Sequence, residues 1–465
     1  MGNSRKQQKK LSSQSKDSSM LSKLNLNAAG IDIGSEEHFV AVPEDRDKQP
    51  VRKFRCFTAD LHAMAQWLKA CRIDTVAMES TGVYWIPVFQ ILETYGFEVK
   101  LVNARHVKNV PGRKTDVCDC QWLQNLHTYG LLSGSFRPED QICVLRSYWR
   151  HRDNLLRYAS SHTQHMQKAL TQMNIQLHKV ISEITGVTGM RIVRAIIAGE
   201  RNPLVLASMK DRRILCSTED IIKSLEGDYR QEHMFALKQA VELYDFYHQQ
   251  IDACDRQIEN CLTQFDSKVD IKTNPVPPSK KGHKKPRRNE PKIDLHAHLY
   301  RITGTDLTKI DGLDVMTVQS VITEVGLNPG SFPTEKHFAS WLGLCPDNRI
   351  TGGKVKSSKT RKVVNRAAEA FRMAAESLHH SASALGAYYR RMRMRLGAPK
   401  AITATAHKLA LIFYKLWKNG ESYLDPGEDY YEQRYKERVV KNMKAKAKQI
   451  GYSITLEPLA DSAGS

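Results

Sequence analysis

The stretch PGRKTDVCDCQW at 111–122 sets Asp116 and Asp119 three residues apart, directly behind Arg113 and Lys114. On a helix that spacing puts both carboxylates on one face. Like charges repel there, and Asp is a mediocre helix former, so the pair calls for a compensating cation. Hard oxygen ligands on one face suit Mg2+, which keeps several waters and bridges to substrate phosphates. Two more acids stand in strand-like runs. Asp32 lies between Ile31 and Ile33 in GIDIG, where an unpaired buried carboxylate is costly. Glu79 closes TVAMES, and strand ends are where α/β sheets gather ligands. Singly, each acid reads most simply as a structural or solvated residue. Together, Asp32, Glu79, Asp116 and Asp119 fit a metal site for phosphodiester chemistry, with Arg113 and Lys114 holding the phosphate backbone.

A second group of reactive types lies in GLCPDNRITGGKVKSSKTRKVVNRAAEAFRMAA, 343–375. Thr351, Ser357 and Ser358 offer hydroxyl nucleophiles. Arg349, Lys354, Lys356, Lys359 and Arg361 surround them and suit a scissile phosphate. The simpler alternative is a basic phosphate-binding loop with no nucleophile.

The elements that must position these residues follow from periodicity. AAGIDIG and HFVAVPE read as a strand pair, VRKFRCF as a third strand, and TVAMES and EVKLVNA as further strands. ADLHAMAQWLKACR, YWIPVFQILETYG and TDVCDCQWLQNLHTYG read as helices. Residues 27–138 therefore form a mixed α/β domain. Residues 139–265 turn to long helix. Tyr244, Ile251, Ile258 and Phe265 step by seven, with Tyr247, Cys254 and Cys261 between them. That heptad seam predicts an antiparallel coiled coil, a dimerisation element or an ordinary helical core. Residues 266–293 are a basic, proline-rich linker carrying Lys280, Lys281, Lys284, Lys285, Arg287 and Arg288, a run suited to backbone phosphate. A mainly α domain follows at 294–420, where LTKIDGLDVMTVQSVITEVG has the look of a helix-hairpin-helix able to meet a phosphate. Residues 1–26 read as a disordered basic arm and 421–465 as a charged tail.

The formal net charge of +20 favours a polyanionic partner, nucleic acid first. No apolar run is long enough to span a membrane. Nine scattered cysteines with no CxxC pair exclude a simple zinc finger, and without a secretion signal they point to reduced thiols in a cytoplasm.

Asp32 in GIDIG, Glu79 in MEST, and Asp116 with Asp119 in GRKTDVCD resemble the DEDD transposases of the bridge-RNA-guided insertion-sequence recombinases. The 343–375 block is similar to that family's C-terminal transposase motif. The resemblance implies a RuvC-like, RNase H-type catalytic domain, a helical coiled-coil insertion and a mainly α C-terminal transposase domain. It implies that the four acids bind Mg2+ and that a serine attacks DNA to form a covalent phosphoseryl intermediate. One protomer's acids would work with another's serine. Donor and target DNA, a guide RNA and a dimeric or tetrameric assembly are the implied partners, in a bacterial cytoplasm. The family's serine stands just before the Gly pair, where this chain has Thr351; Ser357 and Ser358 lie close by. The competing enzyme reading is a metal-dependent nuclease or junction resolvase that activates water with the same acids. GIDIGS also resembles the phosphate loop of actin-like sugar kinases, but Glu36 and Glu37 would repel a nucleotide there. A nucleic-acid-binding protein without catalysis would not need the acids.

Overall fold

The computed structural model describes residues 22–80, 82–103, 116–278 and 289–455. The expected cations Arg113, Lys114, Lys280, Lys281, Lys284, Lys285, Arg287 and Arg288 lie outside the described residues, as do residues 1–21 of the basic arm. The chain divides into two units, Met1–Arg137 and Pro138–Ser465.

In the first unit, short strands, the central ones almost wholly buried, build a five-stranded sheet in the order β3-β2-β1-β4-β5. The strands are β1 (Ala28–Ile33), β2 (Glu37–Ala41), β3 (Val51–Arg55), β4 (Thr75–Glu79) and β5 (Glu98–Val102). β1, β2 and β3 run antiparallel in turn, while β4 is parallel to β1 and β5 to β4. Helices α1 (Thr58–Ala70) and α2 (Trp85–Thr94) bury Leu61, Met64, Leu68, Val88 and Leu92 in one core with Ile31, Val40, Val76 and Met78 of the sheet. The third helix, α3 (Asp116–Thr128), joins a separate small core of Ala77, Val102, Leu123 and Leu132. Because strand side chains alternate, α3 covers the sheet face opposite α1 and α2.

The end of the presumed arm is held in place. Leu24 and Asn25 donate backbone N–H to the Thr128 carbonyl at 2.9 and 3.0 Å, and Asn25 Nδ2 donates to the His127 carbonyl at 2.7 Å. Residues 22–26 thus cap the C-terminus of α3, satisfying carbonyls that a helix end leaves orphaned.

The second unit is mainly helical. Two long helices, α4 (Asp140–Gln172) and α9 (Gln231–Gln264), pack antiparallel, with Tyr158 and His162 of α4 meeting Tyr247 of α9. Between them, α5 (Leu177–Val180), α6 (Val187–Ile197), α7 (Pro203–Ser208) and α8 (Thr218–Ser224) close a core around Met166, Ile192, Leu206 and Ile221. The heptad seam is consumed here: Ile251 and Ile258 are 4% and 0% exposed. Of the alternatives for this seam, packing within the chain is the one seen, since α4 of the same chain covers it. Arg152 and Asp255 form a buried ion pair across the two helices, joined by a second bond of 3.4 Å from Nη2 to Oδ2.

Helices α10 (Leu295–Thr303), α11 (Val315–Val325), α12 (Glu335–Trp341), α13 (Arg366–Ser377), α14 (Ala384–Leu396), α15 (Ala398–Asn419) and α16 (Gly427–Gln449) follow. Phe338, Phe371, Phe413, Tyr414 and Trp417 form their aromatic core. The helix-hairpin-helix expected at 307–326 has only one 3-10 turn, Leu307–Lys309, as its first arm. The first turn of α11 is capped by Asp314, which accepts from Thr317 N, so a carboxylate already sits where a phosphate was expected. The charged tail also contains more order than its composition suggested, because α16 runs for 23 residues.

Candidate nuclease-type acids and a hydroxyl-bearing hairpin

Three of the four acids lie on the same side of the first sheet. Gly30 pairs with Ala77 and Ile31 with Met78 across parallel β1 and β4, so Asp32 and Glu79 are the next residues along adjacent strands. Neighbouring strands lie about 4.8 Å apart. Their faces are settled by Gly30. A Cβ on Gly30 would lie 2.9 Å from Gln124 Cα and closer still to Gln124 N and Cys120 O, all backbone of α3. Gly30 therefore faces α3, and by alternation so do Asp32 and Glu79, each two residues on from a member of the Gly30–Ala77 pair. Both are half-buried at the C-terminal strand ends.

Asp119 comes to the same region from α3. Its neighbour Cys120 is fully buried, and burial pushes the Cys120 thiol up to about 12. The negative charges of Asp32 and Asp119 push it the same way, so both carboxylates lie near that thiol. Asp116 opens α3 one turn earlier; its side chain lies outside the described residues. Among the described residues, no three His, Cys, Asp or Glu side chains form a metal-holding cluster. The donor set itself fits a hard divalent cation, since all three placed groups are carboxylates at strand ends or on the facing helix.

The bed beneath these acids is closely packed. Gly30, missed as a functional residue in the sequence, lets α3 lie directly on β1; a glycine inside a strand pattern was the available signal. At the far end of α3, buried His127 meets Thr75 Oγ1 through Nε2 at 2.8 Å, and Thr75 Oγ1 donates to the Glu98 carbonyl at 3.0 Å. Burial, with a smaller contribution from the charge of Lys100, pulls the His127 pKa down to about 4. A neutral imidazole thus pins α3 to β4 while its N-terminal turn carries the acids.

In the second unit, Thr351 and Ser357 sit on a β-hairpin rather than in a loop. Its strands are β6 (Arg349–Thr351) and β7 (Lys354–Ser357). Gly352 and Gly353 form the two-residue turn, with φ of +56° and +73°, a geometry that favours glycine at both places. The pairs Thr351–Lys354 and Arg349–Ser357 put these four residues on one face, and Ile350–Val355 on the other. A bulge at Arg349/Ile350 sets the Arg349–Ser357 register. Ser358 falls beyond the strand. The Ser357 hydroxyl accepts the Lys359 N–H at 3.3 Å. Thr351, Lys354, Lys356, Ser358 and Lys359 are exposed. Arg361 is partly committed: its Nη2 donates to Ser340 O and Oγ at 2.7 and 3.0 Å, fixing the hairpin base to α12.

Comparison with protein-family models matches residues 29–175 to a transposase model of the DEDD IS110 type. Residues 304–390 match a second model, described as the transposase of the IS116/IS110/IS902 family. The first match contains Asp32, Glu79, Asp116 and Asp119, and the second contains the whole hairpin. No curated protein matches the chain.

Proposed function

The chain belongs to the IS110 family of DEDD transposases, and from that membership we propose that it cuts and rejoins DNA by Mg2+-dependent chemistry through a covalent hydroxyl-linked intermediate. The observation that carries this reading is the placement of Asp32, Glu79 and Asp119 on one face of a RuvC-like sheet, at the ends of adjacent strands and on the helix laid over them. Together with Asp116 these carboxylates would hold Mg2+, which when bound supplies charge stabilisation at the phosphodiester oxygens. The part of the acids is to bind and orient.

The hairpin supplies the nucleophile, and Thr351 is the hydroxyl we assign. It stands beside the glycine turn, level with Lys354 and on the same face as Arg349, so two cations flank it where a phosphate would dock. Its Oγ1 attacks phosphorus, a new P–O bond forms, and the bond from phosphorus to one deoxyribose oxygen breaks. The threonine loses its proton to solvent and the departing oxygen takes one up. One phosphoester replaces another, so the reverse attack by a new deoxyribose hydroxyl rejoins the strand without an external energy source. Ser357, on the same face, is already an acceptor for Lys359 N–H. An element-encoded guide RNA and a dimeric or tetrameric assembly belong to the same reading, and the net charge of +20 supports a nucleic-acid partner.

The test is strand cleavage by Asp32→Asn, Glu79→Gln and Asp119→Asn proteins beside a DNA-binding assay. Each variant should lose cleavage while keeping DNA affinity. Full activity of Asp119→Asn would sink the assignment of the acids.

A further inference from the structure

Helix α16 lies outside both family matches and has an uneven distribution of charge. Its first half holds Glu428, Asp429, Glu432 and Glu437; from Arg438 to Gln449 there are five cations and no acid. The acidic half is an anchor. Arg390 of α14 donates to Glu428 at 2.6 Å, Arg391 pairs with Glu432, and the Arg391 guanidinium lies 3.4 Å over the Tyr435 ring. Lys408 of α15 lies over the Tyr388 ring at 4.4 Å and over Tyr431 at 5.6 Å, extending the same packed seam.

The basic half has a different character. At about 100° per residue, Arg434, Arg438, Lys441, Lys444 and Lys448 fall within about 120° of arc and span about 21 Å of helix axis. All five are exposed. Glu437 is the one acid within that arc, and Arg434 also reaches the Tyr430 hydroxyl at 2.9 Å. Like charges three and four apart destabilise a helix, and a merely solvated face would interleave acids among them. Arg438 adds a further crowding: its charge, after burial, lowers the pKa of Lys408. Two of the helix's acids, Glu428 and Glu432, are committed to Arg390 and Arg391 of α14, which leaves Glu437 alone among the five cations of the stripe.

We propose that this stripe of α16 is a docking surface for the phosphate backbone of duplex DNA. A straight 21 Å row runs alongside about six base pairs, where both strands together present one charge per about 1.7 Å. DNA is the occupant because it is the substrate of the family; contacts of this kind position the duplex and carry no sequence information. The surface is independent of the cleavage chemistry proposed above, so failure of one leaves the other standing.

The test compares two double variants of the full chain that remove equal charge from one helix. Lys441→Gln with Lys448→Gln strikes the stripe. Lys436→Gln with Lys446→Gln strikes positions about 140° from its centre. All four lysines are exposed, and thermal unfolding is measured for each variant to establish that the fold is kept. Affinity for a random-sequence DNA duplex is followed by fluorescence anisotropy from about 50 to 200 mM salt. The stripe pair should reduce the slope of log K against log salt by about 1.8, at about 0.9 per phosphate contact, and the off-stripe pair should leave it unchanged. Equal reductions from both pairs would reduce the effect to overall charge and overturn the proposal. No reduction from either would do the same. A slope change seen with an RNA duplex and not with DNA would name the wrong occupant and also overturn it.

Discussion

Gly30→Ala is the sharpest test of how the acids are held. The added methyl would lie 2.9 Å from Gln124 Cα, with Gln124 N and Cys120 O nearer still. Carbon–carbon contact is comfortable near 3.5 Å, so clearing the Cα alone requires about 0.6 Å and clearing all three atoms about 1 Å. None of the three can swing away, because all are backbone. The relief must come from α3 lifting off β1. Its C-terminal end is tied by the His127–Thr75 bond and by residues 24 and 25, so the N-terminal turn carrying Asp119 moves most. Overpacking of this kind costs about 1–3 kcal/mol of stability. A displacement of about 1 Å at a catalytic group costs about 100-fold in rate. The assay is single-turnover strand cleavage by the purified variant, with thermal unfolding and DNA affinity measured in parallel. A variant that melts a few degrees lower, binds DNA as before and cleaves about 100-fold more slowly fits this account. Wild-type cleavage by a folded Gly30→Ala protein would refute the close approach of α3 or its bearing on the acids.

Other consequences follow from the same contacts. Arg152→Ala should cost about 3–5 kcal/mol in chemical denaturation, because it strands the buried Asp255 carboxylate; a loss under about 1 kcal/mol would show that the pair is solvated. Ile258→Ala should cost about 2–5 kcal/mol yet leave the mass in solution unchanged, since Ile258 is buried within one chain; a change in mass by light scattering would return the seam to an oligomer contact. His127 is held neutral with its pKa near 4 against an ordinary 6.5, so its contribution is complete above pH 6.5 and lost as pH falls toward 4, by up to about 1.4 kcal/mol per pH unit. His127→Gln should flatten the pH dependence of unfolding in that window, and an unchanged profile would contradict the assignment.

Much of the sheet was legible because strands such as AAGIDI and TVAME are apolar runs of the right length between turn residues. Asp32 and Glu79 stood out because a carboxylate in such a run is unusual. Their common face was not legible: it depends on the parallel register of β1 with β4 and on α3 covering Gly30, which are contacts across tens of residues. The hairpin at 349–357 was missed although Gly352-Gly353 is a turn signal, because its strands are short and exposed. The heptad seam of α9 was visible, but its partner is α4, about a hundred residues earlier, and no periodicity names a partner. Helix α16 was read as tail because charge dominates its composition; its acids become an anchor only once Arg390 and Arg391 are placed against them. No helix among the described residues is long and apolar enough to cross a membrane.

The central claim is covalent catalysis from the hairpin with the acids as metal ligands. Full-length protein is incubated with its flanking DNA and Mg2+, quenched in denaturant, digested, and searched by mass spectrometry for nucleotide-bearing peptides. A nucleotide on Thr351, lost in Thr351→Val and absent from Asp119→Asn, is the predicted result. Mg2+-dependent cleavage with no adduct on any hydroxyl of the 349–358 segment would contradict it and leave activated water as the nucleophile.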